Sequence, residues 1–235
     1  MATAATPPPI ALYTNHGCPF AHRAHVALAE LKIPFEERIV DLGVPRTPEY
    51  LAINPRGLVP SLVHGDDIIT ESAVVANFLA DAYPSHLIPA SSDPKGPLTR
   101  ARVAFFADTF SSKLVAPLFK GVFAPSDEEG SKTFNELVDV LVKEVEPLLA
   151  DAAPFFGGSA KLTMAEVLTG PFVIRLLTWP NHGLAPKTVL ADLEARAPNF
   201  FRWAQKVAAH PSVRSIYDEE TIAQAMKEKR DKTRA

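Results

Sequence analysis

A single cysteine, Cys18, stands in the 235 residues of this chain. One thiol excludes an internal disulfide, a paired-thiol redox centre and a multi-cysteine zinc site. Long apolar runs are missing too, since no stretch reaches the roughly 18 residues that a bilayer-spanning helix requires. The opening MATAATPPPIALYT carries neither the basic region nor the long apolar core of a secretory leader, so a cytosolic protein with no membrane partner is expected. Charge of one sign is scarce as well, with 24 Lys and Arg against 27 Asp and Glu and a formal net charge of -3. That balance leaves no electrostatic footprint for the phosphates of a nucleic acid, and no nucleic-acid partner is expected. The one concentrated patch, Lys227 to Ala235, sets five basic against two acidic residues and reads as a solvated helix end.

What is present is ordinary globular material, 47% apolar and 22% charged, long enough for two modest domains that each bury a core without staples. Ile10 to Thr14 is predicted as a strand, and Cys18 to Leu31 as a helix with Phe20, Ala24, Ala27, Leu28 and Leu31 at helical spacing. Pro34 stops that helix. Phe35 to Val40 is a second candidate strand, and Leu42 to Arg56, rich in Pro, Gly and Asn, has room for a short helix around Thr47 to Ala52. Ser61 to Val63 and Ile68 to Thr70 flank the turn His64-Gly65-Asp66-Asp67 and read as a hairpin. Glu71 to Tyr83 follows as a helix.

The order so far is βαβ, an irregular segment, then ββα. Residues 84–97 hold Pro84, Pro89, Pro94 and Pro97 and read as a linker between a first domain, 1–83, and a second, 98–235. The second part is helical in pattern. Val103, Phe106, Phe110 and Leu114 form one stripe, and Phe134, Leu137, Leu141 and Leu148 belong to the next. Ser126-Asp127-Glu128-Glu129 and Thr163-Met164-Ala165-Glu166 fit capping boxes, and Thr188 to Arg196 and Asn199 to Ala208 complete the expected helices.

The densest chemical signal is His16-Gly17-Cys18-Pro19-Phe20-Ala21-His22-Arg23, at a strand-to-helix junction. A thiol there meets free N–H groups and the positive end of a helix, with Arg23 one turn on. Taken alone, a single cysteine is as readily a small buried apolar residue. In Asn54-Pro55-Arg56-Gly57-Leu58-Val59-Pro60-Ser61 a loop enters a strand through a Val-Pro bond, which composition alone predicts to be trans. Ile69-Thr70-Glu71-Ser72 hands an acid and a hydroxyl to a helix start, which is either a plain first turn or a seat for a carboxylate.

Together, CPFAHR in a βαβ unit, NPRGLVP before a strand, ESA opening a helix, the LTMAE box and HPSV near the end resemble the glutathione transferase superfamily. The CPF motif makes the chain similar to the omega class. The resemblance implies a thioredoxin-like N-terminal domain that binds glutathione, an all-α C-terminal domain that shapes a second, apolar substrate site, a cis Val59–Pro60 bond and a homodimer. By the same resemblance Cys18 is the catalytic thiol and Phe20 packs beside the tripeptide. Arg46 faces the glycyl carboxylate where the omega class places Lys, a change that keeps charge and alters geometry. Val59, next to Pro60, offers its backbone to the cysteinyl unit, and Glu71 and Ser72 take the γ-glutamyl ammonium and carboxylate. A tripeptide with two carboxylates and one ammonium suits such seats. Glu166 stands where the superfamily usually has Asp, which is expected to be a mild folding matter. Arg175 falls where omega enzymes carry an Arg lining the substrate cleft, or else is a helix-pairing or surface Arg. By residue type Phe105, Phe106, Phe172, Trp179 and Trp203 are more often core than ligand box, and Phe106 and Trp179 are the two placed at the border of the apolar site.

A cysteine at this position implies thiol–disulfide exchange, in which Cys18 takes glutathione from an adduct and a second glutathione from solution resolves it. Deglutathionylation and dehydroascorbate-like reduction fall in this class. The alternatives are conjugating, lyase or isomerase chemistry on a specialised metabolite, and a non-enzymatic relative such as the intracellular chloride channel proteins, whose membrane insertion would carry His22, Arg23, His25, Glu30 and Lys32 into a bilayer. His22 and His25, three apart near Cys18, lack a supporting carboxylate cluster, so packing or solvated roles and no metal are expected. Tyr13 falls inside the first strand and is expected to be structural.

Overall fold

The computed structural model describes residues 9–234, so the N-terminal MATAATPP segment, on which the reading of the opening residues mostly falls, and Ala235 lie outside the described residues. β1 (Ile10–Thr14), α1 (Pro19–Leu31), β2 (Glu36–Ile39), α2 (Pro48–Ile53), β3 (Ser61–His64), β4 (Asp67–Thr70) and α3 (Ser72–Ala82) follow one another in the βαβ–ββα order expected. The sheet runs β2-β1-β3-β4, with β2 parallel to β1 and β3 antiparallel to both β1 and β4. One face of it carries α1 and α3. Leu12, Leu62, Ala24, Ala27, Leu28, Val75 and Leu79 fill the layer between, all essentially inaccessible. Removing such side chains from water is the main favourable term holding sheet to helix.

Local chemistry explains the boundaries. Pro19 begins α1, where a missing N–H forfeits no bond, and Lys32 at φ 53° ends it before Pro34. Thr47 caps α2 by accepting from the Tyr50 N–H. Phe20 departs from the expected apolar stripe of α1, since it is 40% exposed.

The remainder is helical: α4 (Gly96–Phe110), α5 (Ala116–Val122), α6 (Asp127–Glu144), α7 (Met164–Thr178), α8 (Thr188–Arg196), α9 (Pro198–Ala209), α10 (Pro211–Arg214) and α11 (Glu219–Arg234). A π-helical turn, Ser111–Val115, joins α4 to α5. The Val103, Phe106, Phe110 and Leu114 stripe is buried as its spacing requires. Leu148 falls beyond α6, in a 3-10 turn over Glu146–Leu149, because Pro147 cannot continue an α-helical ladder. Ser126 accepts from the Glu129 N–H, and only the Thr163 box is reciprocal among the described residues.

Glu166 does more than a mild folding matter would. It is fully buried, and its carboxylate accepts from the N–H groups of Phe156 and Thr163, the Thr163 hydroxyl and the Trp203 indole, all within 2.8 Å. One side chain thus joins the start of α7 to α9 and to the preceding loop. α7 lies centrally, packed against α1, α4 and α9, and carries the helical part onto the sheet-bearing part. Among the described residues no helix is long and apolar enough to cross a membrane.

Candidate functional site

The ends of β1, α2, β3 and α3 surround a cleft of about 310 Å³. Cys18, Phe20, Arg46, Val59, Pro60, Glu71 and Ser72 all line it, and Leu42 and Leu58 add apolar walls. Cys18 is the residue just ahead of α1, in extended conformation, and its side chain is half-buried. The loop before it is folded by Asn15, whose carbonyl accepts the Cys18 N–H at 3.0 Å and whose Oδ1 accepts the Gly17 N–H at 3.0 Å. Asn15 Nδ2 in turn donates to the Val40 carbonyl, which fixes the loop to the segment after β2. The first backbone bond of α1 runs from the His22 N–H to the Cys18 carbonyl, so the Phe20 and Ala21 N–H groups have no backbone acceptor among the described residues.

Opposite the thiol, the NPRGLVP loop is held rigidly. Asn54 Nδ2 donates to the Leu58 carbonyl at 2.9 Å and to Ser61 Oγ at 3.1 Å, and the Tyr50 hydroxyl also donates to that carbonyl. Val59–Pro60 is cis. Neither the N–H nor the C=O of Val59 has a partner among the described residues, so this main-chain edge faces the cleft with its hydrogen-bonding capacity unspent. Gly57 has φ +64°, and a Cβ there would approach Arg46 Cγ to 3.0 Å. The left-handed backbone favours glycine here, and a Cβ would press on the Arg46 side chain. Arg46 Nε donates to the Gly57 carbonyl, and Nη1 to the carbonyls of Asp41 and Val44, which fastens the guanidinium across the cleft mouth.

At the third wall Glu71 is held at φ 68°, a conformation that costs a non-glycine residue on the order of 1 kcal/mol or more. Its exposed carboxylate pairs with Arg56. Ser72, first residue of α3, is 7% exposed and accepts from Arg23 Nη1 at 3.2 Å. Arg23 also donates from Nε to the Leu168 carbonyl and from Nη2 to Ser111 Oγ, and its guanidinium lies over the rings of Phe20 and Phe172. Burial pulls Arg23 down to about 10, partly offset by attraction to Cys18, and it stays cationic at neutral pH.

A sole thiol, an open backbone edge, a hydroxyl backed by a buried cation and a fastened Arg line this one cleft, a donor and acceptor set that suits a small molecule with several charged ends. Sequence comparison agrees with that chemistry. A model of the glutathione S-transferase N-terminal domain family matches residues 17–82. A probable glutathione S-transferase of Oryza sativa subsp. indica is 30% identical over 213 residues, 85% of this chain and 88% of the rice protein. The chain belongs to the glutathione transferase superfamily. Among solved structures, glutathione transferase Omega 1C from Trametes versicolor aligns with TM-score 0.82 and 27% identity over 97% of this chain and 99% of its own. A rice transferase crystallised in complex with glutathione aligns with TM-score 0.81 and 25% identity over 97% and 100%. The superfamily uses glutathione as co-substrate.

Within this glutathione transferase fold, three residues expected at the substrate site are buried and lie outside the cleft that holds Cys18. Phe106 is fully buried against Phe110, Phe156 and Trp203, and Trp179 is fully buried against Phe119, because both lie on inward helix faces. Neither lines that cleft; Phe106 contributes instead to a separate pocket with Phe105, Pro147, Leu148 and Phe156. Arg175 is also buried, 1% exposed, and backs the loop that carries Cys18 instead of lining the cleft. Its Nη2 donates to the Gly17 carbonyl at 3.1 Å and Nη1 to the Pro171 carbonyl at 2.7 Å, with the guanidinium over Tyr217. Burial brings Arg175 down to about 10, while Tyr217 and Cys18 draw it up.

His22 and His25 both pack inward. His22 Nε2 donates to the Val213 carbonyl, leaving Nδ1 for Arg175, and burial with the Arg175 charge holds its pKa well below the usual value. His25 is lowered by burial to about 4, with Glu37 opposing the shift. Tyr13 accepts from Arg38 and stacks obliquely on Tyr50, a structural role. Asn15, Asn54 and Ser111 escaped sequence reasoning. Asn54 stands inside a quoted motif directly ahead of Pro55, and Asn15 stands just before one, two residues ahead of Gly17, so the turn preference of Asn is the signal for both; nothing local marks Ser111.

Proposed function

We propose that this protein is a glutathione-dependent thiol transferase of the omega type, working through Cys18. The observation that carries the reading is the presence of the chain's sole cysteine in one cleft with Val59, Glu71, Ser72 and Arg46. Val59 takes the cysteinyl backbone, Ser72 and Glu71 the γ-glutamyl end, Arg46 the glycyl carboxylate, and Phe20 covers the tripeptide. In the first step the Cys18 thiolate attacks the glutathione sulfur of an adduct RS–SG, forming Cys18–SG and releasing RS⁻. In the second, glutathione thiolate attacks Cys18–SG, giving oxidised glutathione and restoring the Cys18 thiolate. Arg23 and Arg175, each lowered by burial and drawn back up in part by attraction to Cys18, stand behind it as buried cations. The omega similarity of the Trametes structure supports the class.

Residues 1–83 serve as the glutathione-binding part, 84–97 as linker and 98–235 as the part that shapes the second site. A homodimer is proposed with it, supported by the exposed Val74 on α3 and Leu98 and Phe105 on α4, and light scattering on the eluting protein tests it. Steady-state assays of disulfide reduction and of conjugation to a chlorodinitrobenzene electrophile test the mechanism in wild type, Cys18→Ser and Cys18→Ala. Reductase activity is lost in both variants if Cys18 is the catalytic thiol. Conjugation that persists or rises without Cys18, with no reductase activity in wild type, favours the conjugating reading.

A further inference from the structure

His16, His25 and Glu37 come from three different elements and meet at one point. His16 sits in the β1–α1 loop, two residues before Cys18; His25 is on α1; Glu37 is on β2. His16 Nε2 lies 2.7 Å and His25 Nε2 3.5 Å from the same carboxylate oxygen, Glu37 Oε1. The two imidazoles stand edge to face, centroids 5.4 Å apart, so both nitrogens converge on it. One potential ligand atom from each of the three residues lies within 4.8 Å of the others. A tetrahedral ion with ligand bonds of about 2.1 Å holds its ligands about 3.4 Å apart, so the observed spacings bracket what coordination needs. His25 is 3% exposed and fixed by packing against Phe35, whereas His16 and Glu37 are 45% and 36% exposed at their side chains and can move the last few tenths of an ångström. Thr14 Oγ1, 2.8 Å from His25 Nε2, is the group an ion would displace from that nitrogen.

We propose that His16, His25 and Glu37 form a binding site for a divalent first-row cation of the zinc type, which clamps the loop carrying Cys18 onto β2. Two imidazoles and one carboxylate are a donor set such ions favour, with a fourth position left for water. None of the three lines the glutathione cleft, so the site stands independently of the thiol-transfer reading.

The test uses the full chain with Cys18 alkylated, which removes the one competing thiolate. Zn²⁺ alone is titrated by calorimetry, and Co²⁺ spectra report the ligands. The expected result is one equivalent bound, a raised melting temperature, and a loss of affinity of roughly ten-fold or more in both His16→Ala and Glu37→Gln. These two side chains are exposed enough that the variants fold, which far-ultraviolet circular dichroism verifies. The proposal is overturned by an absence of saturable binding, by affinity unchanged in either variant, or by uptake confined to the unalkylated protein with a thiolate-to-cobalt charge-transfer band.

Discussion

Arg23 Nη1 donates to Ser72 Oγ at 3.2 Å, so a residue on α1 backs the hydroxyl that opens α3 at the cleft. The same guanidinium reaches Leu168 on α7 and Ser111 at the π-helical turn. The cleft proposed to seat glutathione is thereby tied to the helical part through a buried cation.

Removing either partner should therefore weaken the same interaction. Arg23→Met and Ser72→Ala are each expected to raise KM for glutathione, and the double variant to cost less than the sum, because the two side chains act as a unit. A double-mutant cycle on kcat/KM measures this. Strict additivity would mean that Arg23 does not act through Ser72.

Glu166 satisfies four donors from inside the helical core. Glu166→Ala is expected to lower unfolding stability by about 3 kcal/mol or more, since each buried donor left unpaired costs roughly 1–3 kcal/mol. Glu166→Asp, one methylene shorter, should fall between. Urea unfolding reads both, and a midpoint unchanged in Glu166→Ala would refute the role of this carboxylate as a hub.

His22 sets an acid limit on stability. Its folded pKa is pushed below the ordinary 6.5 by burial and by Arg175, so above about pH 6.5 both states are neutral and the group contributes nothing. Below that value the unfolded chain takes up a proton that the folded chain refuses, and stability falls as pH falls. The slope is on the order of 1 kcal/mol per pH unit for this one proton. His22→Gln keeps a donor for Val213 and an acceptor for Arg175, and should flatten the decline. Equal slopes in wild type and variant would place the acid sensitivity elsewhere.

Gly57 combines a left-handed backbone with contact to Arg46. Gly57→Ala is expected to displace Arg46 from the cleft mouth and raise KM for glutathione more than it lowers kcat. Saturation kinetics separates the two, and an unchanged KM would remove Arg46 from the seat.

Much of this was legible in the chain. The β1–α1 alternation, the hairpin around Gly65 and the core stripe through Val103, Phe106 and Phe110 follow from local periodicity and turn chemistry, which depend on neighbours a few residues away. Cys18, Val59, Glu71 and Ser72 share the cleft because β1 ends, β3 begins and β4 hands over to α3 at the same end of the sheet. What escaped is long-range. Arg23 meets Leu168 across 145 positions, and Arg175 meets Gly17 across 158. No local period encodes such a meeting. Residue type alone leaves Phe106 and Trp179 between core and pocket border, and only the packed helices show both side chains fully buried, because a large aromatic on an inward helix face gains most by burial. Glu166 was underrated because a capping box reveals one partner, and Trp203 and Phe156 arrive only with the tertiary fold.

The most direct measurement is intact-protein mass spectrometry after incubation with oxidised glutathione, on wild type and Cys18→Ser. A single glutathione adduct on wild type, absent from the variant and removed by added reduced glutathione, is the predicted result. A wild-type protein that stays unmodified, or an adduct that reduced glutathione cannot remove, would contradict a Cys18 thiol-transfer cycle.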